Sequence, residues 1–349
     1  MKKKKIIRAG REIVLLEYIP DLYLISEQAN ETLSQLRVGM PTWVSEEIYN
    51  KMNVSIWVYE SDRANAFCYY TEGNNYIALS VGLILDFWNE VNEFVEHEDI
   101  SLVFNVSKKN KIHIIHALFF YMLNNVIAHE FGHIVHGHLK EASCGNYIDE
   151  MFEIGDEGNN NSKNWHTQLK EFDADLVAAA LNVSIFLKTW DDNIKVNLAN
   201  FDIMYLASYL CFRTFAEKTG RNFNDYLEKK LDEFDHPHPG IRMYYTFIGY
   251  AYWLGQMCGY TENILSMITS GSHAIIAYEK NVLKKDKIKD CYYVVAFTEK
   301  GVQHVMNLNN QWQELIDMYN KYAFIPIQKW GAIDSMPVSV DVDGDFYLK

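Results

Sequence analysis

The chain has no excess of positive charge: 32 lysines and arginines stand against 46 aspartates and glutamates, a formal net charge of −14. A nucleic-acid partner needs a basic surface to neutralise phosphates, so none is expected. Paired cysteines are missing too. Cys68, Cys144, Cys211, Cys258 and Cys291 are odd in number, scattered, and without any CxxC spacing, which removes zinc-knuckle and dithiol readings and suits a reducing cytoplasm. The basic opening Met1 to Lys5 is followed by Arg8, Arg11 and Glu12, so no apolar leader core develops and secretion is not expected. No apolar run quite reaches the length of a membrane span. Residues 112 to 128 come nearest, and they carry His113, His116, Asn124 and Asn125, which favours a buried helix; a membrane is not required. Internal repeats are absent, and the only low-complexity run is Asn159, Asn160, Asn161 and Ser162.

What is present is 49% hydrophobic and 22% charged, ordinary for a soluble globular protein with a sizeable core. Residues 54 to 80 are rich in β-formers and are broken by the turn run Glu72, Gly73, Asn74, Asn75, which predicts a small antiparallel sheet. Residues 81 to 94 and 113 to 139 are apolar and free of proline, predicting two core helices that pack together. Residues 143 to 165 gather Asp149, Glu150, Glu153, Asp156 and Glu157 with few apolar residues, and read as an acidic loop bordering the cleft. Helical patterns resume at 168–187, 196–218, 225–234, 241–258 and 263–280. The aromatics Tyr244, Tyr245, Phe247, Tyr250, Tyr252 and Trp253 fall on several faces of one such helix, as core packing requires. Residues 291 to 297 read as a strand, followed by a helix over 301–322.

The chemistry concentrates at His129-Glu130-Phe131-Gly132-His133. Residues four apart share a helix face, so His129 and His133 can aim at one ion with Glu130 beside them as the base for an activated water. Chance co-occurrence is the alternative, and a third ligand decides between the two. A metzincin requires Gly at 136 and His at 139, and this chain has His136 and Leu139. His136 and His138 are expected to hydrogen-bond at the helix end rather than bind metal. A gluzincin takes a glutamate from a second helix, and 38 residues on (171 − 133) stands Glu171-Phe172-Asp173-Ala174-Asp175. Glu171 and Asp175 lie one turn apart on one face, so Glu171 can ligate while Asp175 orients a ligand histidine. A solvated acidic face would not run directly into Leu176-Val177-Ala178-Ala179-Ala180-Leu181.

Together these motifs resemble the HExxH and ExxxD pair of the gluzincin metallopeptidases, the family that contains the HtpX-like and CAAX-processing zinc proteases. Asn65-Ala66-Phe67 with residues 76 to 83, and His236-Pro237 with Arg242, are similar to that family's NAF and HP elements. Without membrane spans, the order is also similar to the Lit-like phage-exclusion proteases, bacterial cytosolic enzymes that cleave the translation elongation factor Tu. The resemblance covers about residues 65 to 250 and departs from the family at His238 and Pro239. It implies an α+β, mostly helical zincin-like core over residues 54–272, flanked by an N-terminal segment, 1–53, and a C-terminal accessory region, 273–349. It implies a Zn2+ held by His129, His133 and Glu171, with Glu130 as general base. The strand of Asn65 to Phe67, or that of Tyr76 to Ser80, would form the cleft edge to which an extended peptide adds. His236 would donate to the oxyanion, or stand as a turn residue before a helix. Arg242 would support the site, or simply pair with a ligand-side carboxylate. The implied function is a zinc-dependent, cytoplasmic endopeptidase whose substrate is a protein or peptide, in the second resemblance a translation factor. The alternatives are a regulatory or scaffolding zinc protein with a degenerate or latent site, and a metal-free binding module.

Overall fold

A computed structural model describes residues 2–8, 11–97, 110–139, 151–152, 161–189, 201–218, 234, 236–258, 271–285 and 292–327. The architecture is α+β. In chain order the main elements are β1 (Lys3–Arg8), β2 (Arg11–Leu16), α1 (Tyr23–Gly39), α2 (Glu46–Met52), β3 (Val54–Tyr59), β4 (Ala66–Thr71) and β5 (Asn74–Ser80). Then follow α3 (Val81–Glu96), α4 (Lys111–Val135), β6 (Met151–Phe152), α5 (Asn161–Thr189), α6 (Phe201–Lys218), α7 (Pro239–Cys258), α8 (271–277, running into a π-turn at Tyr278–Val282) and α9 (Glu299–Tyr319).

The sheet has the order β1-β2-β3-β5-β4-β6. It is mixed, not wholly antiparallel as the sequence suggests, because β3 and β5 pair in parallel. The β4–β5 turn is tight: Glu72 and Gly73 both take positive φ, 49° and 81°, the twist that a two-residue hairpin prefers. Between β3 and β4 the chain has six residues, 60–65, enough to cross over and leave room for β5. That crossing rests on Gly82, whose N–H donates to the Ser61 carbonyl at 2.8 Å and whose missing Cβ would stand 2.3 Å from the Asp62 carbonyl oxygen. Ser80 ends β5 and caps α3, its hydroxyl accepting from the N–H groups of Leu83 and Asn65, each at 2.9 Å. Of the two strands expected at the cleft edge, β5 is therefore interior, and β4 lies outermost except where β6 pairs with Phe67 and Cys68.

Helix α4 is the axis of the molecule, packed against β4 and β5 and against α3, α5 and α6. Its 25 residues are long and apolar enough to cross a membrane by length and composition, and within this fold two-thirds of its most apolar window is buried. Its two asparagines are tied to the neighbouring helices. Asn124 donates to the Asn182 side-chain oxygen, and Asn182 donates to Asn125 at 2.7 Å and to Tyr250 at 3.2 Å. This buried amide cluster fixes the register of α4 against α5 and α7, since unmatched buried amides are costly.

Two further expectations change. The loop read over 143–165 contains β6 and, from Asn161, the start of α5; residues 143–150 and 153–160 lie outside the described ones. The strand read over 291–297 is a 3-10 turn at Tyr293–Phe297, in which the consecutive Val295 and Ala296 are both buried. A short apolar run carries no period that separates strand from tight helix. The helix read over 225–234 lies, but for Phe234, outside the described residues, as do 259–270. Segment 1–53 supplies β1 and β2 to the same sheet, and α9 packs on α5 through Phe172, Leu176, Val305, Trp312 and Ile316.

Candidate metal centre

Two helices carry the centre, and their approach is set by small residues. Gly132 on α4 faces Ala174 on α5 so closely that a Cβ there would stand 3.0 Å from both the Cα and the carbonyl oxygen of Ala174. One turn of α4 then presents His129 and His133 to Glu171, all three buried. Nε2 of His129 and Nε2 of His133 are 3.0 Å apart. The Glu171 oxygens lie 3.2 Å from the first and 3.4 Å from the second.

These three residues form a group whose ligand atoms all lie within 4.8 Å of one another. Neither oxygen of Glu171 accepts a hydrogen bond among the described residues, although both are fully buried. Buried carboxylates without donors are rare and costly, and two imidazole lone pairs aimed at the same point are no better. A cation between them satisfies all three at once, so the group is compatible with a metal ion. Burial opposes ionisation of Glu171, but His236 and His129 outweigh it and hold the carboxyl well below its usual range. Burial pushes His133 down to about 3, which keeps its ring neutral, as ligation requires.

The surrounding residues orient the ligands. His129 turns Nδ1 to Asp175 Oδ1 at 2.7 Å. Asp175 is clamped by Arg242, whose Nε reaches Oδ2 at 2.8 Å and whose second amino group reaches Oδ1 at 2.9 Å, and it accepts from the Tyr245 hydroxyl at 2.7 Å. Burial works against this carboxylate, yet Arg242 and then His129 hold it at about 2. Arg242 also lies 3.6 Å from Glu171. His236 brings Nε2 to 3.6 Å from Glu171 Oε1. Its position follows from the start of α7: Pro239 opens the helix, and His238 caps it, its Nδ1 accepting from the Gly240 N–H at 3.0 Å and its carbonyl from those of Ile241 and Arg242. His238 and Pro239 together thus form the start of this helix.

Glu130 is buried next to His129, and the thiol of Cys68 on β4 is close enough to feel its charge. Burial, with the Glu130 carboxylate beside it, pushes this thiol well above its ordinary value, so it stays protonated. No spacing in the sequence marks Cys68; only the packing of β4 on α4 brings it here. His136 and His138 both meet Asp173 and are absent from the ligand group: Nδ1 of His136 lies 2.6 Å from Oδ2, and Nε2 of His138 approaches the same oxygen obliquely at 2.9 Å. Trp312 of α9 donates to the other oxygen at 2.7 Å.

Fold and centre together define an α+β protein with a buried His-His-Glu group suited to a metal ion. Comparison with protein-family models, with curated proteins and with solved structures found no match.

Proposed function

We propose that the protein is a zinc-dependent endopeptidase of the gluzincin type, acting on a protein or peptide. The observation that carries this reading is the convergence of His129, His133 and Glu171 beside the buried carboxylate of Glu130. The two nitrogens stand 3.0 Å apart, one carboxylate oxygen lies 3.2 Å from the first and the other oxygen 3.4 Å from the second, a set close enough to share one ion at bonds of about 2.0–2.2 Å. Two nitrogens and one carboxylate are also the donor set of catalytic zinc sites that keep a position open. When bound, zinc supplies Lewis acidity to a carbonyl and lowers the pKa of water at the open position.

The protein's own residues do the rest. Glu130 takes the proton of the attacking water and hands it to the leaving amine as the peptide C–N bond breaks. Cys68 closes the β4 side of Glu130 with a neutral thiol. Asp175, gripped by Arg242 and Tyr245, keeps the proton of His129 on Nδ1 and so leaves Nε2 for the metal. Arg242 therefore acts through Asp175, and His236 stands at the glutamate ligand, in reach of charge that develops there. An extended peptide joining β4 either replaces β6 at Phe67 and Cys68 or continues beyond it.

The test is a proteomic comparison of host lysate exposed to the wild type or to Glu130→Gln. New protein termini that depend on Glu130 support the reading, and elongation factor Tu is the first protein to look for among them. Identical termini in both samples, with zinc bound in both, would instead mark a regulatory or scaffolding zinc protein.

A further inference from the structure

The two histidines of the centre are supported differently. His129 meets a carboxylate directly, whereas Nδ1 of His133 faces Nδ1 of a second buried histidine, His138, at 2.8 Å. With no cation to sit between them, two ring nitrogens this close share a single proton, because two lone pairs or two N–H groups would repel. The opposite nitrogen of His138 decides which ring carries it. Nε2 of His138 lies 2.9 Å from Asp173, out of line for a hydrogen bond, and at that distance an ionised carboxylate repels a ring lone pair and favours an N–H. The His138 proton therefore belongs on Nε2, its Nδ1 offers a lone pair, and the shared proton sits on Nδ1 of His133. That leaves the His133 lone pair on Nε2, the atom that faces His129 and Glu171.

We propose that Asp173, acting through His138, selects the tautomer of His133 and aims its Nε2 into the centre, so that both are positioning residues. The proposal rests on the metal-site reading above. Helix geometry explains why the link is indirect. Glu171 and Asp175 share a face of α5, but Asp173 lies about 200° around the helix from Glu171 and cannot reach His133 itself. The chain bridges that gap at Gly137, where α4 ends with φ +75°, a conformation glycine adopts without strain. His138 follows at once and returns over His133. A Cβ at Gly137 would stand 2.4 Å from the Tyr322 carbonyl oxygen, so the bend is closed from outside. Asp173 is fixed in turn by His136 and by Trp312, which ties α9 to the centre. The three acids of the Glu171-Phe172-Asp173-Ala174-Asp175 run then have distinct duties: one faces the ion and two set the tautomers of its histidine partners.

Two measurements on the full chain test this. In metal-free, 15N-labelled wild type, long-range proton–nitrogen spectra report which ring nitrogen of each histidine bears hydrogen. The expected result is Nε2–H for His138 and Nδ1–H for His133; Nδ1–H on His138 overturns the proposal. Zinc affinity is then read by chelator competition. His138→Phe should weaken it roughly 10–100-fold. His138→Asn, whose side-chain oxygen can stand where Nδ1 stood, should recover most of that loss. A Phe variant that binds zinc as tightly as wild type overturns the relay while leaving the metal reading intact, and wild type that binds no zinc removes both. Should His138→Phe fail to fold by near-ultraviolet circular dichroism, the wild-type spectrum alone decides.

Discussion

Gly132 and Ala174 bring the backbones of α4 and α5 into contact, with only 3.0 Å between a Cβ that Gly132 lacks and the Cα of Ala174. The histidines stand on one side of this contact and the glutamate on the other, so its width fixes the size of the centre. Gly132→Val should force the helices apart. A loss of about 1–3 kcal/mol in urea unfolding is expected, together with reduced zinc content by elemental analysis. Full zinc content in a stably folded variant would show that the centre tolerates a wider gap.

Arg242 and Asp175 form a buried, doubly hydrogen-bonded pair. Removing the cation alone leaves a buried carboxylate exposed to its own desolvation. Arg242→Met is expected to cost about 3–5 kcal/mol of stability, and Arg242→Lys to restore only part, because an ammonium cannot grip both oxygens. Chemical denaturation of the metal-free proteins measures both.

Glu130 lies outside the ligand group. Glu130→Gln should therefore keep its zinc and its unfolding midpoint while peptide cleavage falls roughly 10²–10⁴-fold. Elemental analysis and a cleavage assay on the substrate found by proteomics check the two halves separately. Loss of zinc in this variant would move Glu130 into the ligand set.

A ligand that binds only the folded state raises stability, by about 2.7 kcal/mol at a hundredfold excess over its dissociation constant. Chelation should lower the thermal midpoint of the wild type, and zinc should restore it. Glu171→Ala is expected to lose this response, since one of the three donors is gone. A chelator effect of equal size in Glu171→Ala would place the stabilising metal elsewhere.

The sequence by itself determined what depends on local periodicity. Four-residue spacing puts His129 with His133, and Glu171 with Asp175, on single helix faces wherever those helices lie. The turn at Glu72 and Gly73 is equally local, because the chain must reverse where both residues take positive φ. Longer range decided the rest. The position of β5 inside the sheet depends on a crossing held by Gly82 against Asp62, residues whose meeting no pattern announces. Cys68 reaches Glu130, and Trp312 reaches Asp173, from elements distant in the chain. His136 and His138 look alike in the sequence, yet only His138 touches His133, because Gly137 turns the backbone between them. A helix face says which side chains can act together, and only the packing of one face on another says which of them meet.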